Sequence, residues 1–313
     1  MAQKKRSVWI RRTVQIVFFI LIALGAINHT LVERGIEIPL LGSASLHALC
    51  PFGGVVTLWR FVTTGRLVRQ IHESSMVLLG LTLALALLFG PVFCGWVCPF
   101  GSFQEWLGRI GAKLFKRRYN NFIPKKVDKW LGLLRYAVLA WAVYMTSVTG
   151  VLVFKDYDPY YALFSLWTGE VALSGYLALA LVVVLGLFVE RPFCKYACPM
   201  GALLGLSNVL RIFGIKRAAA SCIDCKACDR ACPMNIEVSL AGRVVDPRCI
   251  SCGECLSERA CPVPATIELK LPAFAKAGGK ASAEEATAFG AATAFGAEAA
   301  GGSENESVQG EDR

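Results

Sequence analysis

The sequence predicts a mainly α protein: a four-helix integral membrane domain with an internal repeat, then a small α+β cysteine-rich domain, then a disordered tail. Three observations lead there. The 313 residues are 55% hydrophobic and 18% charged, and the apolar residues fall in long runs instead of at helical or strand spacing. A Cys-x3-Cys-Pro-x-Gly motif follows Phe93 and recurs after Phe193. Eight of the 13 cysteines crowd into residues 222–261.

Residues 1–12 form a basic N-terminus with Lys4, Lys5, Arg6, Arg11 and Arg12. No convincing small-residue cleavage site follows the next apolar run, so the start reads as an uncleaved signal anchor. The membrane domain occupies 13–217, with spans at 13–31, 74–97, 131–154 and 173–189. Such runs approach or exceed about 18 residues, enough for a helix to cross a hydrocarbon core. The third span works if Arg135 snorkels at its end. Irregular backbone cannot face lipid, which makes helices the economical reading.

Loop charges orient the spans. Residues 99–130 carry Arg109, Lys113, Lys116, Arg117, Arg118, Lys125, Lys126 and Lys129, whereas 155–172 has one lysine against Asp156, Asp158 and Glu170. Both termini are therefore expected on the cytoplasmic side, although Arg34, Arg60, Arg66 and Arg69 make the first outer loop more basic than the rule prefers. The net charge of +10 reads as membrane-flanking charge facing anionic lipid, not as a nucleic-acid surface.

The two repeats read FCGWVCPFGSFQEWLGRI from Phe93 and FCKYACPMGALLGLSNVLRIF from Phe193. A partial third copy, LCPFGGVVTLWRFV from Leu49, lacks the earlier cysteine. Each full copy is the end of a span, a Cys-Pro turn and an apolar-rich helix.

Cys222-x2-Cys225-x2-Cys228-x3-Cys232-Pro233 has the bacterial ferredoxin spacing, in which three thiolates hold one cubane and the fourth reaches another. A second run follows at Cys249, Cys252, Cys255 and Cys261-Pro262. Residues 218–272 are accordingly expected to be a cytoplasmic ferredoxin-like domain with two 4Fe-4S clusters. Cross-ligation assigns Cys222, Cys225, Cys228 and Cys261 to cluster 1, and Cys249, Cys252, Cys255 and Cys232 to cluster 2. Soft thiolates in fours also suit zinc, but two interleaved runs with Cys-Pro endings favour iron–sulfur. Five residues separate Cys255 from Cys261 where the usual run has three. They either bulge into solvent or reshape the surroundings of cluster 1.

Cys94, Cys98, Cys194 and Cys198 fall at the cytoplasmic ends of spans two and four. They form an additional redox site, an iron–sulfur cluster between the halves or a thiol site beside one, or else Cys-Pro-x-Gly merely turns the chain. Cys50, near His47, is either a free or packed thiol or a functional one. His29, His47 and His72 lie near the outer boundary without facing pairs, which argues against bis-histidine haem. With Glu33, Glu37 and Arg60 they are interfacial residues or a route for quinol protons. No Walker loop or Gly-x-Gly-x-x-Gly turn is present, so electrons must come from a quinone or a protein. The Ala-, Gly-, Ser- and Glu-rich stretch 273–313 reads as a disordered tail.

The motifs around Cys50, Cys94–Cys98 with Gln104-Glu105-Trp106, Cys194–Cys198 and the C-terminal pair resemble the membrane-bound polyferredoxins of the NapH and NosR type, over about residues 13–267. The resemblance implies a multi-pass protein of the bacterial cytoplasmic membrane. It also implies an electron-transfer subunit of a quinol dehydrogenase complex, with partners in the quinone pool and a respiratory reductase, cytochrome or iron–sulfur subunit. The rival it implies is an assembly or redox-sensing factor that supplies electrons for maturing a respiratory metalloenzyme.

Overall fold

The structure is a computed structural model that describes residues 2–33, 73–149, 153–168 and 171–270. Cys50, His47, His72, Glu37, Arg60 and the tail 273–313 lie outside the described residues. His29 and Glu33 fall on the first helix, but their side chains are not described.

The described chain is mainly helical. Its elements are α1 (Ala2–Glu33), α2 (Glu73–Phe89), a π-turn (Phe93–Val97), α3 (Pro99–Phe115), α4 (Lys125–Leu131), α5 (Leu134–Thr149), α6 (Pro159–Phe164), α7 (Leu173–Gly186), α8 (Pro192–Tyr196) and α9 (Pro199–Leu210). β1 (Gly214–Arg217), α10 (Ala227–Arg230) and β2 (Ile267–Lys270) follow. The helix over the expected second span stops at Phe89, short of residue 97. Gly90 takes a left-handed φ of 82°, the usual helix stop, and Pro91 cannot continue the ladder. By length and composition Val8–Asn28 and Lys125–Thr149 are long and apolar enough to cross a membrane, while Val77–Phe89, Leu173–Gly186 and Pro199–Leu210 are shorter apolar helices.

Each full repeat contributes a helix to the other half. α3 packs on α1 and on α7, and α9 packs on α5 and on α2. The helix after each Cys-Pro turn thus bridges the first long helix of its own half and the second apolar helix of the other. One core between the halves gathers Leu79, Ala86, Ala142, Met200 and Leu204, with Cys94 and Cys198 against it. Another holds Phe100, Tyr161, Ala162, Leu179 and Val182, with Cys98 and Phe193 against it. The outward faces stay apolar: Leu173, Leu177 and Leu181 on α7, and Ile16, Ile20 and Leu24 on α1, are exposed at helical spacing.

The cysteine-rich part is α+β, as expected, but its first strand begins before residue 218. β1 pairs antiparallel with β2, Gly214 opposite Lys270 and Arg217 opposite Ile267. The ribbon closes a core of Ile215, Met234, Ile236, Val238, Val244, Ile250 and Ile267, into which Cys228, Cys249, Cys255 and Cys261 are packed.

Candidate metal centres

Two cavities sit in this cysteine-rich core. One is lined by Cys222, Cys225, Cys228 and Cys261 along with Ile223, Val263 and Ile267. The other is lined by Cys232, Cys249, Cys252 and Cys255 with Met234, Ile236 and Val244. These are the two interleaved sets that the spacing groups together. Among the described residues no three histidine, cysteine or carboxylate side chains gather closely enough to hold a single metal ion. A cubane spreads its thiolates around a larger core and asks for a wider cage.

Short turns aim the thiols inward. Lys226 and Gly253 adopt left-handed φ values of 54° and 76°, which bend the chain between successive cysteines. The long spacer before Cys261 resolves into a bulge. Ser257 accepts the Ala260 and Cys261 amides at 3.0 and 2.9 Å, Ala260 is buried, and Glu258 and Arg259 point to solvent. The additional residues therefore leave Cys261 at its cavity.

The four remaining described cysteines converge. Each copy of the motif closes the same way: the amides of Cys98 and Cys198 bond the carbonyls of Phe93 and Phe193, both at 2.8 Å. Pro99 and Pro199 then start α3 and α9 from cysteine N-caps. Cys94, Cys98, Cys194 and Cys198 stand within mutual electrostatic reach. Gln104 donates to Cys194 Sγ at 3.2 Å, and the Gly201 amide to Cys198 Sγ at 3.3 Å.

The second cysteine run is seated on this edge site. The Trp96 indole donates to the Ser251 carbonyl at 3.2 Å, and the Ser251 hydroxyl to the Phe89 carbonyl at 2.9 Å. Asn208 on α9 donates to the Cys249 carbonyl at 2.7 Å. Gly95 lies directly under the run: a Cβ there would stand 2.5 Å from the Ile250 carbonyl and 3.2 Å from Cys252 Cα. Cys94 consequently packs against both the helical core and the cysteine-rich core.

Buried charges tie these parts together. Glu105 on α3 accepts from Arg191 at 2.6 Å, from Arg11, from Gln15 at 3.1 Å and from Arg109 at 3.0 Å. Arg11 also pairs with Glu254, and Arg191 donates to the Cys94 carbonyl at 2.8 Å. On the other copy Lys195, wholly buried, pairs with Asp128 at 2.6 Å. Asp128 further accepts Tyr196 and Arg248. Burial alone would raise the Glu105 carboxyl, but the Arg191 and Arg11 guanidiniums outweigh it and hold the group at about 2.

Sequence reasoning did not single out Arg11, Gln15, Asp128, Arg191, Lys195, Arg211 or Arg248 as parts of the site. A signal was present for two of them. Arg191 and Lys195 flank Cys194 at the end of an apolar run, where a charge is costly without a partner.

Fold and sites define an iron–sulfur electron-transfer protein of ferredoxin type. A family profile described as a 4Fe-4S binding domain matches residues 71–118 and again 171–216, the two segments that hold Cys94 and Cys98, and Cys194 and Cys198. The chain belongs to the NapH/NosR-type family of ferredoxin-type electron-transport proteins. YccM of Escherichia coli is 30% identical over 227 residues, 71% of this chain and 62% of that one. The uncharacterized protein MJ0750 of Methanocaldococcus jannaschii is 32% identical over 209 residues, 67% of this chain and 82% of its own length. The ferredoxin-type protein NapH of Haemophilus influenzae is 29% identical over 209 residues, 62% of this chain and 69% of that one. No solved structure matches the chain.

Gly95→Ala is expected to cost about 1–3 kcal/mol by overpacking, read as a lowered Tm in detergent. Gly80→Ala, with open space around its Cβ position, should leave Tm unchanged or slightly raised; equal values for the two variants would contradict the seating of Cys252 on Gly95. Glu105→Gln leaves Arg11 and Arg191 buried without their shared anion, a loss of about 3–5 kcal/mol. Because the folded carboxyl lies below its ordinary 4.5, at about 2, its stabilisation is fully present above pH 4.5 and is lost as pH falls through 2. The difference corresponds to about 3 kcal/mol, so acid unfolding of Glu105→Gln should be flatter than that of the wild type across this window.

Proposed function

We propose that the protein passes electrons between the quinone pool and a respiratory redox partner through three iron–sulfur clusters. Cys222, Cys225, Cys228 and Cys261 hold the first, and Cys232, Cys249, Cys252 and Cys255 the second. Cys94, Cys98, Cys194 and Cys198 hold the third, between the two halves. The observation that carries the reading is the seating of Cys252 on Gly95, which puts the second cavity against the edge cysteines. Such clusters, when bound, supply one-electron carriers, and the protein's part is to hold them near one another and dry. The fit rests on the donor sets: four thiols around each of two cavities, and four more within electrostatic reach of one another.

The chain lies in the cytoplasmic membrane on this reading, with four spans, both termini and the cysteine-rich part on the cytoplasmic side. Exposed apolar stripes on α1 and α7 support it, since a water-soluble protein seldom leaves such faces bare. The thiols sit at different depths. Each set has two buried thiols, Cys228 and Cys261 in the first and Cys249 and Cys255 in the second, but Cys225 of the first is exposed, so the first cluster is the one that an external protein would reach.

Anaerobic protein in detergent is expected to hold about twelve irons and twelve sulfides, four of each for every cubane. Cys225→Ser, Cys252→Ser and Cys94→Ser should each lower that content. Unchanged iron after Cys252→Ser would defeat the ligand assignment, and about eight irons unaffected by Cys94→Ser would remove the edge cluster alone. A reduced menaquinone analogue should bleach the clusters, with dithionite as the full-reduction control. Bleaching by dithionite only would set aside the quinone and leave a protein donor.

A further inference from the structure

A charged side chain stands against one cysteine sulfur of each C-terminal set, and the two differ in sign. Arg211, at the end of α9, is wholly buried. Its Nη1 lies 3.9 Å from Cys249 Sγ and 3.2 Å from the Ser251 hydroxyl, and its Nη2 donates to the Val244 carbonyl. Its Nε has no hydrogen-bond partner. Four buried or half-buried basic side chains nearby do have carboxylates: Arg11 and Arg191 share Glu105, and Lys195 and Arg248 share Asp128. Among the described residues Arg211 forms no such ion pair. Its charged neighbour is instead Arg243, close enough for the two guanidiniums to repel. A buried cation with a like-charged neighbour and no carboxylate is strongly disfavoured until an anion fills the space in front of it. The sulfur it faces, Cys249 Sγ, belongs to the cavity of Cys232, Cys249, Cys252 and Cys255, which Arg211 flanks without lining.

The other cavity has half-buried Arg217 and exposed Lys226 in its lining, charges that water screens, and a fixed carboxylate beside one of its sulfurs. The Asp229 carboxylate lies 3.7 Å from Cys228 Sγ, fixed by the Ser239 amide at 2.7 Å and hydroxyl at 2.6 Å. A tetrathiolate cubane is already an anion, and reduction adds one more negative charge. A fixed guanidinium favours that added electron, and a fixed carboxylate opposes it.

Resting on the cluster assignment above, we infer that Arg211 is the resident counter-cation of the second cluster and, with Asp229 opposing the first, sets the order of their potentials. A single electron shared by the pair resides on the cluster of Cys232, Cys249, Cys252 and Cys255. When a one-electron donor protein reduces the exposed first cluster, the favourable exchange oxidises that cluster by one electron and reduces the second by one. No bond is made or broken and no proton moves. Reducing equivalents are thereby drawn from the solvent-exposed end toward the edge cysteines.

The test is paramagnetic-resonance potentiometry on the full chain in detergent, with Cys225→Ser used to identify the first cluster's signal and Cys252→Ser the second's. In the wild type the signal lost in Cys252→Ser is expected to be reduced before the signal lost in Cys225→Ser. Arg211→Gln should shift the ratio of electron occupancies away from the second cluster by about tenfold, about 59 mV for a one-electron couple. Arg211→Lys, which keeps the charge, should retain most of the wild-type ratio. Asp229→Asn should move the first cluster's potential upward and leave the second in place. The inference is overturned if the first cluster is reduced first, if Arg211→Gln leaves the ratio unchanged, or if Arg211→Lys behaves like Arg211→Gln. A purely structural role for Arg211 would lower iron content in both variants without the charge-dependent shift. Failure of the cluster assignment has its own mark: iron and sulfide unchanged in both Cys225→Ser and Cys252→Ser.

Discussion

The Glu105 carboxylate joins parts of the chain that are remote in sequence. It lies buried on α3, in the first Cys-Pro repeat, and holds Arg11 from α1 and Arg191 from the turn before the second repeat. Arg11 continues to Glu254, inside the second cysteine run. A buried carboxylate is tolerable only when its hydrogen-bonding capacity is used, and here four side chains use it. The same demand works in reverse on Arg11 and Arg191, whose burial needs the acid. This mutual requirement fixes the first helix, both repeats and the cysteine-rich part in one arrangement.

The repeat explains the rest of the architecture and also where it had to be broken. Residues of the first copy have counterparts 100 positions on, so Cys94 and Cys98 match Cys194 and Cys198. Related helices α3 and α9 each cross to the opposite half, which brings all four thiols to the junction. A single asymmetric cysteine-rich segment must then sit on both copies. Gly95 leaves room for the Cys252 backbone, while its counterpart Lys195 reaches Asp128 and lies within electrostatic range of Cys232. Glu105 answers Gly205, and Gly108 answers Asn208, which bonds the Cys249 carbonyl. Gly95, Lys195 and Asn208 are thus places where the copies differ and where one of them meets the cysteine-rich segment.

Low dielectric makes each of these placements consequential. An arginine on the surface is screened by water and contributes little, whereas Arg191, Lys195 and Arg211 are sealed from solvent and act at nearly full strength on whatever stands in front of them. Carboxylates neutralise most of this charge locally. What remains uncompensated is aimed at cysteine sulfur, and that distinguishes the surroundings of a redox centre from ordinary structural ion pairing.

Much of the fold was legible because its signals are local or periodic. Long apolar runs dictate helices, Cys-Pro-x-Gly dictates a turn followed by a helix start, and two interleaved runs of four cysteines predict the two four-cysteine cavities. Other features depend on contacts between distant residues, which no local pattern records. The sequence alone placed a continuous helix over 74–97, but Gly90 and the need to aim Cys94 at the second half ended it at Phe89. It left the spacer before Cys261 ambiguous, and packing of Ala260 with Ser257 turned Glu258 and Arg259 outward. It gave Arg211, Arg191 and Asp128 no particular role, because a charge becomes informative only when its burial and its partners are known. Composition and spacing determined that this chain is a helical, thiol-rich electron carrier; tertiary structure decided which charge faces which sulfur, since electrostatic energy depends on distance and solvent exclusion.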